Sequence, residues 1–399
     1  MKYIYKHHPS KMTTLIVTFG AGSRVEFNTS YPKGIAHFLE HMRFKGSNNY
    51  TAKELLWKME TAGGEWNAFT EEDLVAFHIT IPEENIETAF QCLSDMIRYP
   101  IFPQEELDKE QEVVCQEVRM YDDDIGDLVH RAVVANAFDN SSLNSPIIGT
   151  EESVCAITAN DLRNFDKQFC SPEQELITLC GANDHRILVE KYFGTPDDKL
   201  IWTPGLKPSY CKPFEMKVEK EGQLQNIIKI AYGNHNINTL SFESAPKLDV
   251  FNTIFGSVGA SRLFLRIRED LGLVYGIRSG IYDNMDGCLF EIASATEPDN
   301  VNELLKEVEN QIQIMTNTLP TPEELICAKN KIRSSEYGAE DTSIGTALKA
   351  IDETFYNDLS SDEYLTEVEK VTAKDVQGVA QEIFSGNRYL VIGCDKESA

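Results

Sequence analysis

Gly34-Ile35-Ala36-His37-Phe38-Leu39-Glu40-His41-Met42-Arg43-Phe44-Lys45-Gly46 is the stretch on which the reading of the chain turns. It contains His-x-x-Glu-His, the inverse of the common His-Glu-x-x-His zinc motif. A helix advances 3.6 residues per turn, so His37 and His41 lie one turn apart on one face, with Glu40 flanking them. Two neutral imidazoles can then hold one zinc ion while a carboxylate stands beside its open coordination position. Zinc lowers the pKa of a bound water to about 7, and a carboxylate so placed takes that water's proton as it attacks a carbonyl. Two surface histidines and a glutamate on an ordinary helix spell the same letters. A third protein ligand is needed before the pattern means zinc.

Downstream, Pro103-Gln104-Glu105-Glu106-Leu107 opens a helix, with proline and acids in its first turn. It runs to the acidic break Asp122-Asp123-Asp124. Glu110 and Glu117 are seven residues apart on nearly one stripe, and Val113, Val114 and Val118 mark the buried side beside it. A glutamate at the margin of an apolar stripe is unfavourable unless it is paired or bound to metal. Glu117 is therefore read as the third zinc ligand, and Glu110 as an acceptor for the other N–H of a ligand histidine. Without the histidine motif, both would pass for ordinary solvated helix residues.

Three segments now stand together: Gly34 to Gly46, then Gly63-Gly64-x-x-Asn67-Ala68-x-Thr70, then Glu110-x-x-Val113-Val114-x-x-Glu117. They resemble the pitrilysin, insulysin and mitochondrial processing peptidase family, the inverzincin zinc metallopeptidases. The resemblance implies one Zn²⁺ per chain held by His37, His41 and Glu117, with Glu40 as the catalytic base. It also implies that Asn67 and Ala68 lie on an edge strand near the zinc, where an extended peptide adds by backbone pairing. Val75 and Phe77 stand where the family has Thr and Tyr, so no tyrosine hydroxyl is carried over there. The family's first strand, with its Asn-Gly turn, is expected here in shortened form ahead of the β-rich run from Thr13. His78 alternates with apolar neighbours and reads as a sheet-face histidine.

The chain has 399 residues, a net charge of −27 and 42% apolar residues. That length is enough for two domains with their own cores. The strongly acidic balance argues against nucleic acid and against anionic membrane surfaces. Nine scattered cysteines with no Cys-x-x-Cys outline no disulfide frame. The reading is of reduced thiols in a cytoplasmic protein, with no apolar stretch near the ~20 residues a membrane helix needs.

An internal duplication sets the architecture. Leu107 recurs at Leu325 in a second Glu-Glu-Leu helix start, Ile125-Gly126 at Ile344-Gly345, and Thr158-Ala-x-Asp161 at Thr372-Ala-x-Asp375, a spacing of about 214–219 residues. Between the copies, Thr203-Pro-Gly-Leu-Lys-Pro-Ser-Tyr-Cys-Lys-Pro213 reads as a linker. The expected fold class is α+β, two homologous domains at 1–205 and 212–399, each a mixed sheet with helices mainly on one face. The second copy has no His-x-x-Glu-His, and Ser335 stands where Glu117 does in the first. It carries instead Arg268-Glu-Asp-Leu-Gly-Leu-Val-Tyr275, which resembles the family's second-half signature and implies that Arg268 and Tyr275 grip the substrate.

Three functions fit these residues to different degrees. The first is a zinc endopeptidase that hydrolyses unfolded peptides or leader segments inside a chamber made by a homodimer. The second is the catalytic subunit of a heterodimeric processing peptidase, and the third a non-catalytic scaffold. The intact set His37, Glu40, His41 and Glu117 disfavours the scaffold, which has no physical need for a base beside two ligands.

Overall fold

The structure, a computed structural model, describes residues 1–207, 209–234, 244–356 and 358–396. In the first half of the chain the strands are β1 (Lys2–His7), β2 (Met12–Phe19), β3 (Glu65–Thr70), β4 (Val75–Pro82) and β5 (Glu175–Gly181). Its helices are α1 (Ile35–Arg43), α2 (Ala52–Thr61), α3 (Ile86–Arg98), α4 (Gln104–Asp123), α5 (Ile125–Ala137), α6 (Glu151–Cys155), α7 (Ala159–Phe169) and α8 (Arg186–Tyr192). The second half adds β6 (Phe214–Lys220), β7 (Asn226–Gly233), β8 (Ile277–Asn284), β9 (Gly287–Thr296) and β10 (Asn387–Asp395). With them come α9 (Ala245–Asn252), α10 (Val301–Asn317), α11 (Pro322–Glu340), α12 (Ser343–Phe355), α13 (Ser361–Lys370) and α14 (Ala373–Phe384). The fold class is α+β, with two mixed five-stranded sheets. Their orders, β1-β5-β2-β4-β3 and β6-β10-β7-β9-β8, are the same order twice.

The compact units are not two continuous stretches. One comprises Met1–Met120, Ser145–Pro204 and Gly338–Tyr356, the other Tyr121–Asn144, Gly205–Tyr337 and Asn357–Ala399. Each repeat lends one helix to the other's sheet. In the first unit Leu15, Val17 and Phe19 of β2 face the main core with α1 and α3. Thr14 and Thr18 alternate to the opposite face, where α12 lies, and the Thr14 and Ser343 hydroxyls bond at 2.9 Å. In the second unit Ile228 and Ile230 enter the main core, while Ala231, Leu289, Tyr389 and Val391 pack on Val129, Val133 and Ala137 of α5. Gly393 allows that approach: a Cβ there would lie 2.7 Å from Val129 Cγ2. A sheet buried on both faces needs cover on both, and α5 and α12 supply it.

The Thr51/Glu54, Thr158/Asp161 and Thr372/Asp375 capping boxes open α2, α7 and α14. The first strand spans six residues, Lys2–His7, and pairs in parallel with β5, with no Asn-Gly between it and β2. One expectation needs correction. Val113 is 48% exposed: the buried stripe of α4 runs through Leu107, Glu110, Val114 and Val118, and Val113 falls a full 100° step off it. Among the described residues no helix is long and apolar enough to cross a membrane.

Candidate metal centre

Helix α1 begins at Gly34, whose φ of 87° is left-handed and where a Cβ would lie 2.5 Å from the Ile148 carbonyl oxygen. Only glycine suits that position. The first turn is capped from a distance: the buried Glu26 carboxylate accepts from the Gly34 N–H at 3.0 Å and the Ala36 N–H at 2.9 Å. Burial pushes Glu26 up to about 7, against the pull of those two bonds and of Lys33. Ile35, Ala36, Phe38, Leu39 and Met42 enter the core, and His37, Glu40 and His41 take the other face. At the far end Arg43 is wholly buried. It donates to the Met96 and Ile97 carbonyls at 3.3 and 3.0 Å, pairs with Asp166, and lies over the Phe19 and Phe77 rings.

The two histidine rings are 4.6 Å apart between centroids. From helix α4, Glu117 Oε2 lies 3.9 Å from His37 Nε2 and 3.7 Å from His41 Nε2. Among the described residues these three form the group of histidine, cysteine and acidic side chains that could hold a metal, their ligand atoms all within 4.8 Å of one another. Bonds of about 2.0–2.2 Å in a tetrahedron separate ligand atoms by about 3.4 Å, so Glu117 stands within about half an ångström of zinc-binding distance from both histidines. Burial, aided by His41, lowers the His37 pKa to about 3, which keeps the ring neutral with one nitrogen lone pair free for a metal. Burial alone would lower His41 as well, but the Glu110 bond and the Glu40, Glu110 and Glu117 carboxylates reverse this and raise it. Carboxylates converging on imidazoles make a pocket suited to a cation.

Glu110, 5% exposed, bonds His41 Nδ1 at 2.8 Å and Lys45 Nζ at 2.5 Å. Burial alone would raise its pKa, but these two partners hold it below the usual carboxylate range. With Nδ1 engaged, His41 presents Nε2 to the site. Glu40 stands in the same pocket at 9% exposure, and its pKa is raised by burial and by the Glu117 charge, against the Thr70 bond and His41. The Thr70 hydroxyl donates to Glu40 Oε2 at 2.6 Å.

Asn67 and Ala68 lie on β3, the edge of the first sheet, which among the described residues pairs with β4 alone. The structure thus gathers His37, Glu40, His41, Glu110 and Glu117 into one pocket, with β3 bound to it through Thr70. Arg268 and Tyr275 belong to the other unit and meet each other there. Arg268 sits in a π-helical turn, Phe264–Asp270, its guanidinium 4.7 Å from the Phe264 ring centroid and 5.7 Å from that of Tyr275. Tyr275 is 89% exposed, so it is no core tyrosine. His78 is half-buried on β4 beside the Phe69 ring, away from the ligand set. Sequence reading missed Glu26 and the partner of Thr70. The threonine was visible two residues after Ala68, but nothing local pointed it at Glu40.

Residues 2–151 match the family model described as Insulinase (Peptidase family M16), and residues 156–332 match the one described as Peptidase M16 inactive domain. An uncharacterized zinc protease of Bacillus subtilis, YmxG, is 28% identical over 397 residues, covering 98% of this chain and 95% of its own. An uncharacterized zinc protease of Rickettsia felis is 29% identical, covering 91% and 88%. A protease from Helicobacter pylori of known structure superimposes with a TM-score of 0.87 at 21% identity, covering 98% of this chain and 96% of its own.

Proposed function

The chain belongs to peptidase family M16, the insulinase family, and on that premise we propose that it is a zinc-dependent endopeptidase acting on extended peptides. The observation that carries the reading is the convergence of His37, His41 and Glu117, with the Glu40 carboxylate beside them. Zinc held by those three would supply an acidified water and a polarised scissile carbonyl. The chain's own residues do the rest. Glu40 Oε2 accepts from Thr70, which leaves Oε1 to take the proton of the attacking water and pass it to the leaving amine. Glu110 holds His41 in the tautomer that offers Nε2. Along β3, the backbone groups that point away from β4 in the Asn67–Ala68 segment would take the peptide backbone, giving affinity that depends little on side chains; the Ala68 N–H, which bonds Asn67 Oδ1 at 2.9 Å, would exchange that partner for the peptide.

The finer reading is that two copies enclose the peptide, since larger relatives join four such domains in one chain. The exposed Arg268–Tyr275 pair of one copy would then grip the peptide at the zinc of the other. Mixing Glu40→Gln with an Arg268→Ala, Tyr275→Phe double variant should restore part of the activity. Recovery only after adding a related chain would favour the heterodimer instead. Native mass with and without zinc separates the two arrangements.

The central experiment is turnover of a quenched peptide library by the zinc-loaded chain. Glu40→Gln should keep one zinc per chain and lose roughly 10²–10⁴-fold in kcat. Near-normal turnover would remove Glu40 as the base, and no hydrolysis by the wild type would end the peptidase reading.

A further inference from the structure

We propose that Thr70 is a positioning residue that aims Glu40 and ties it to the free edge strand β3. The inference rests on the reading of Glu40 as the base. A glutamate's terminal torsion is broad, so helix α1 alone does not choose which carboxylate oxygen faces the metal pocket. The Thr70 hydroxyl, 2.6 Å from Oε2, makes that choice. Thr70 is also the last residue of β3, opposite Val75 of β4, on the strand whose outer edge is unpaired.

What gives the tie its stiffness is the turn that follows. The Glu71 N–H bonds the Leu74 carbonyl at 2.9 Å and closes the hairpin. The Ser23 and Arg24 N–H groups bond the Glu71 and Glu72 carbonyls at 3.1 and 2.9 Å. Arg24 Nε meets the Asp73 carboxylate at 2.8 Å, both side chains almost wholly buried, and the Tyr356 hydroxyl donates to the same carboxylate at 3.0 Å. Two residues after Arg24 stands Glu26, whose carboxylate caps α1 at Gly34 and Ala36. The path from Glu40 through Thr70, the hairpin, Arg24–Asp73 and Glu26 therefore returns to the helix that carries Glu40. Every member belongs to one compact unit. A peptide added to β3 is then registered to the base by the protein itself, before the chemistry begins.

Valine keeps the β-branched shape of threonine and suits a strand equally well, so Thr70→Val removes the hydroxyl and little else. In the zinc-loaded protein kcat should fall roughly 10–100-fold, the size of effect expected when a supporting hydrogen bond is lost. KM should stay within about twofold, because peptide binding on β3 is untouched. Zinc content should not change, and Thr70→Ser should restore most of the loss. A second readout needs no activity: in metal-free protein labelled at threonine methyls, the Thr70 signal should report one fixed rotamer and become averaged in Glu40→Ala. Wild-type kcat in Thr70→Val, or a Thr70 methyl indifferent to Glu40→Ala, overturns the proposal. If the zinc-loaded wild type cleaves nothing, the peptidase reading fails and Thr70's role fails with it, while the methyl signal still reports separately whether the tie exists.

Discussion

The two sheets share one strand order but bury charge very differently. Among the described residues, Arg24, Glu26, Glu40, Arg43, Asp73, Asp95, Glu110 and Glu175 are buried in the first unit, against Asp286 in the second. The long helices α4 and α11 make the contrast residue by residue. With Leu107 aligned to Leu325, Val114 falls on Ile332 and both are buried, so the helices present the same stripe. On that alignment Glu110 becomes Ala328, packed in the core, and Glu117 becomes Ser335 on the surface. The fold therefore needs no acid at either position. Buried charge is unfavourable unless partnered, and in the first unit the partners lead toward the metal pocket: Glu26 caps its helix, Glu110 holds His41, and Asp73 locks the hairpin behind Thr70.

The largest effect should come from giving the first unit the second unit's residue. Glu117→Ser removes one of the three proposed protein ligands and should abolish stoichiometric zinc binding, well beyond the roughly 10–100-fold that loss of an outer partner costs. The converse, Ser335→Glu, should bind none, since among the described residues no second histidine pair offers ligands. Metal analysis after dialysis decides it. Full zinc occupancy in Glu117→Ser would break the comparison.

Next in size is Arg43, a charge buried at the end of α1. Removing one partner of a buried pair leaves the other uncompensated, so Arg43→Met should destabilise the first unit by about 3–5 kcal/mol. Adding Asp166→Leu should recover much of that, because two apolar residues can replace a pair where one cannot. Denaturant midpoints of the metal-free variants test this. Equal midpoints for wild type and Arg43→Met would mean that the guanidinium is decorative.

Arg43 also marks where sequence reading ends. His37, Glu40 and His41 were legible because their spacing is local to one helix, and Glu117 only because that motif asks for a third ligand and an acid stands beside an apolar stripe downstream. The duplicated helix starts announced two like domains. Arg43 reads as a surface charge by type, and only the packing of α3 and α7 shows otherwise. Glu26 bonds backbone groups eight and ten residues away, and Thr70 reaches Glu40 across thirty. The exchange of α5 and α12 between sheets is the extreme case. Their amphipathic patterns say that one face is buried but not against which sheet, and the continuous boundaries at 205 and 212 follow from that silence.

Glu110→Ala gives a smaller and more specific test, because Ala328 shows that alanine packs at this position of the helix. Zinc affinity should fall about 10–100-fold as His41 loses the acceptor for Nδ1. The melting temperature of the metal-free protein should change little. A large loss of metal-free stability would make Glu110 a fold residue that happens to lie near the site.

The smallest effect lies in the second unit and turns the comparison around. Asp249 of α9 accepts from the Tyr364 hydroxyl at 2.5 Å, in a setting shared with Asp283, Glu336 and Asp358. Burial, with those like charges adding to it and the Tyr364 bond opposing, pushes its pKa up from 3.8 to about 6. Between those values the folded chain holds a proton that the unfolded chain has released. Stability contributed by this group is therefore fully present below about pH 4 and is lost as pH rises through about 6. Some side-chain exposure remains, so the loss should be about 1 kcal/mol rather than the nearly 3 that a shift of this size gives in full. In Asp249→Asn the carboxyl is replaced by a group that cannot titrate. The difference in melting temperature between variant and wild type should thus grow in the variant's favour from pH 4 to pH 7. Subtracting the two curves removes the titration of every other group. Parallel curves would mean that Asp249 ionises as freely folded as unfolded, and that the second unit tolerates this carboxylate without penalty.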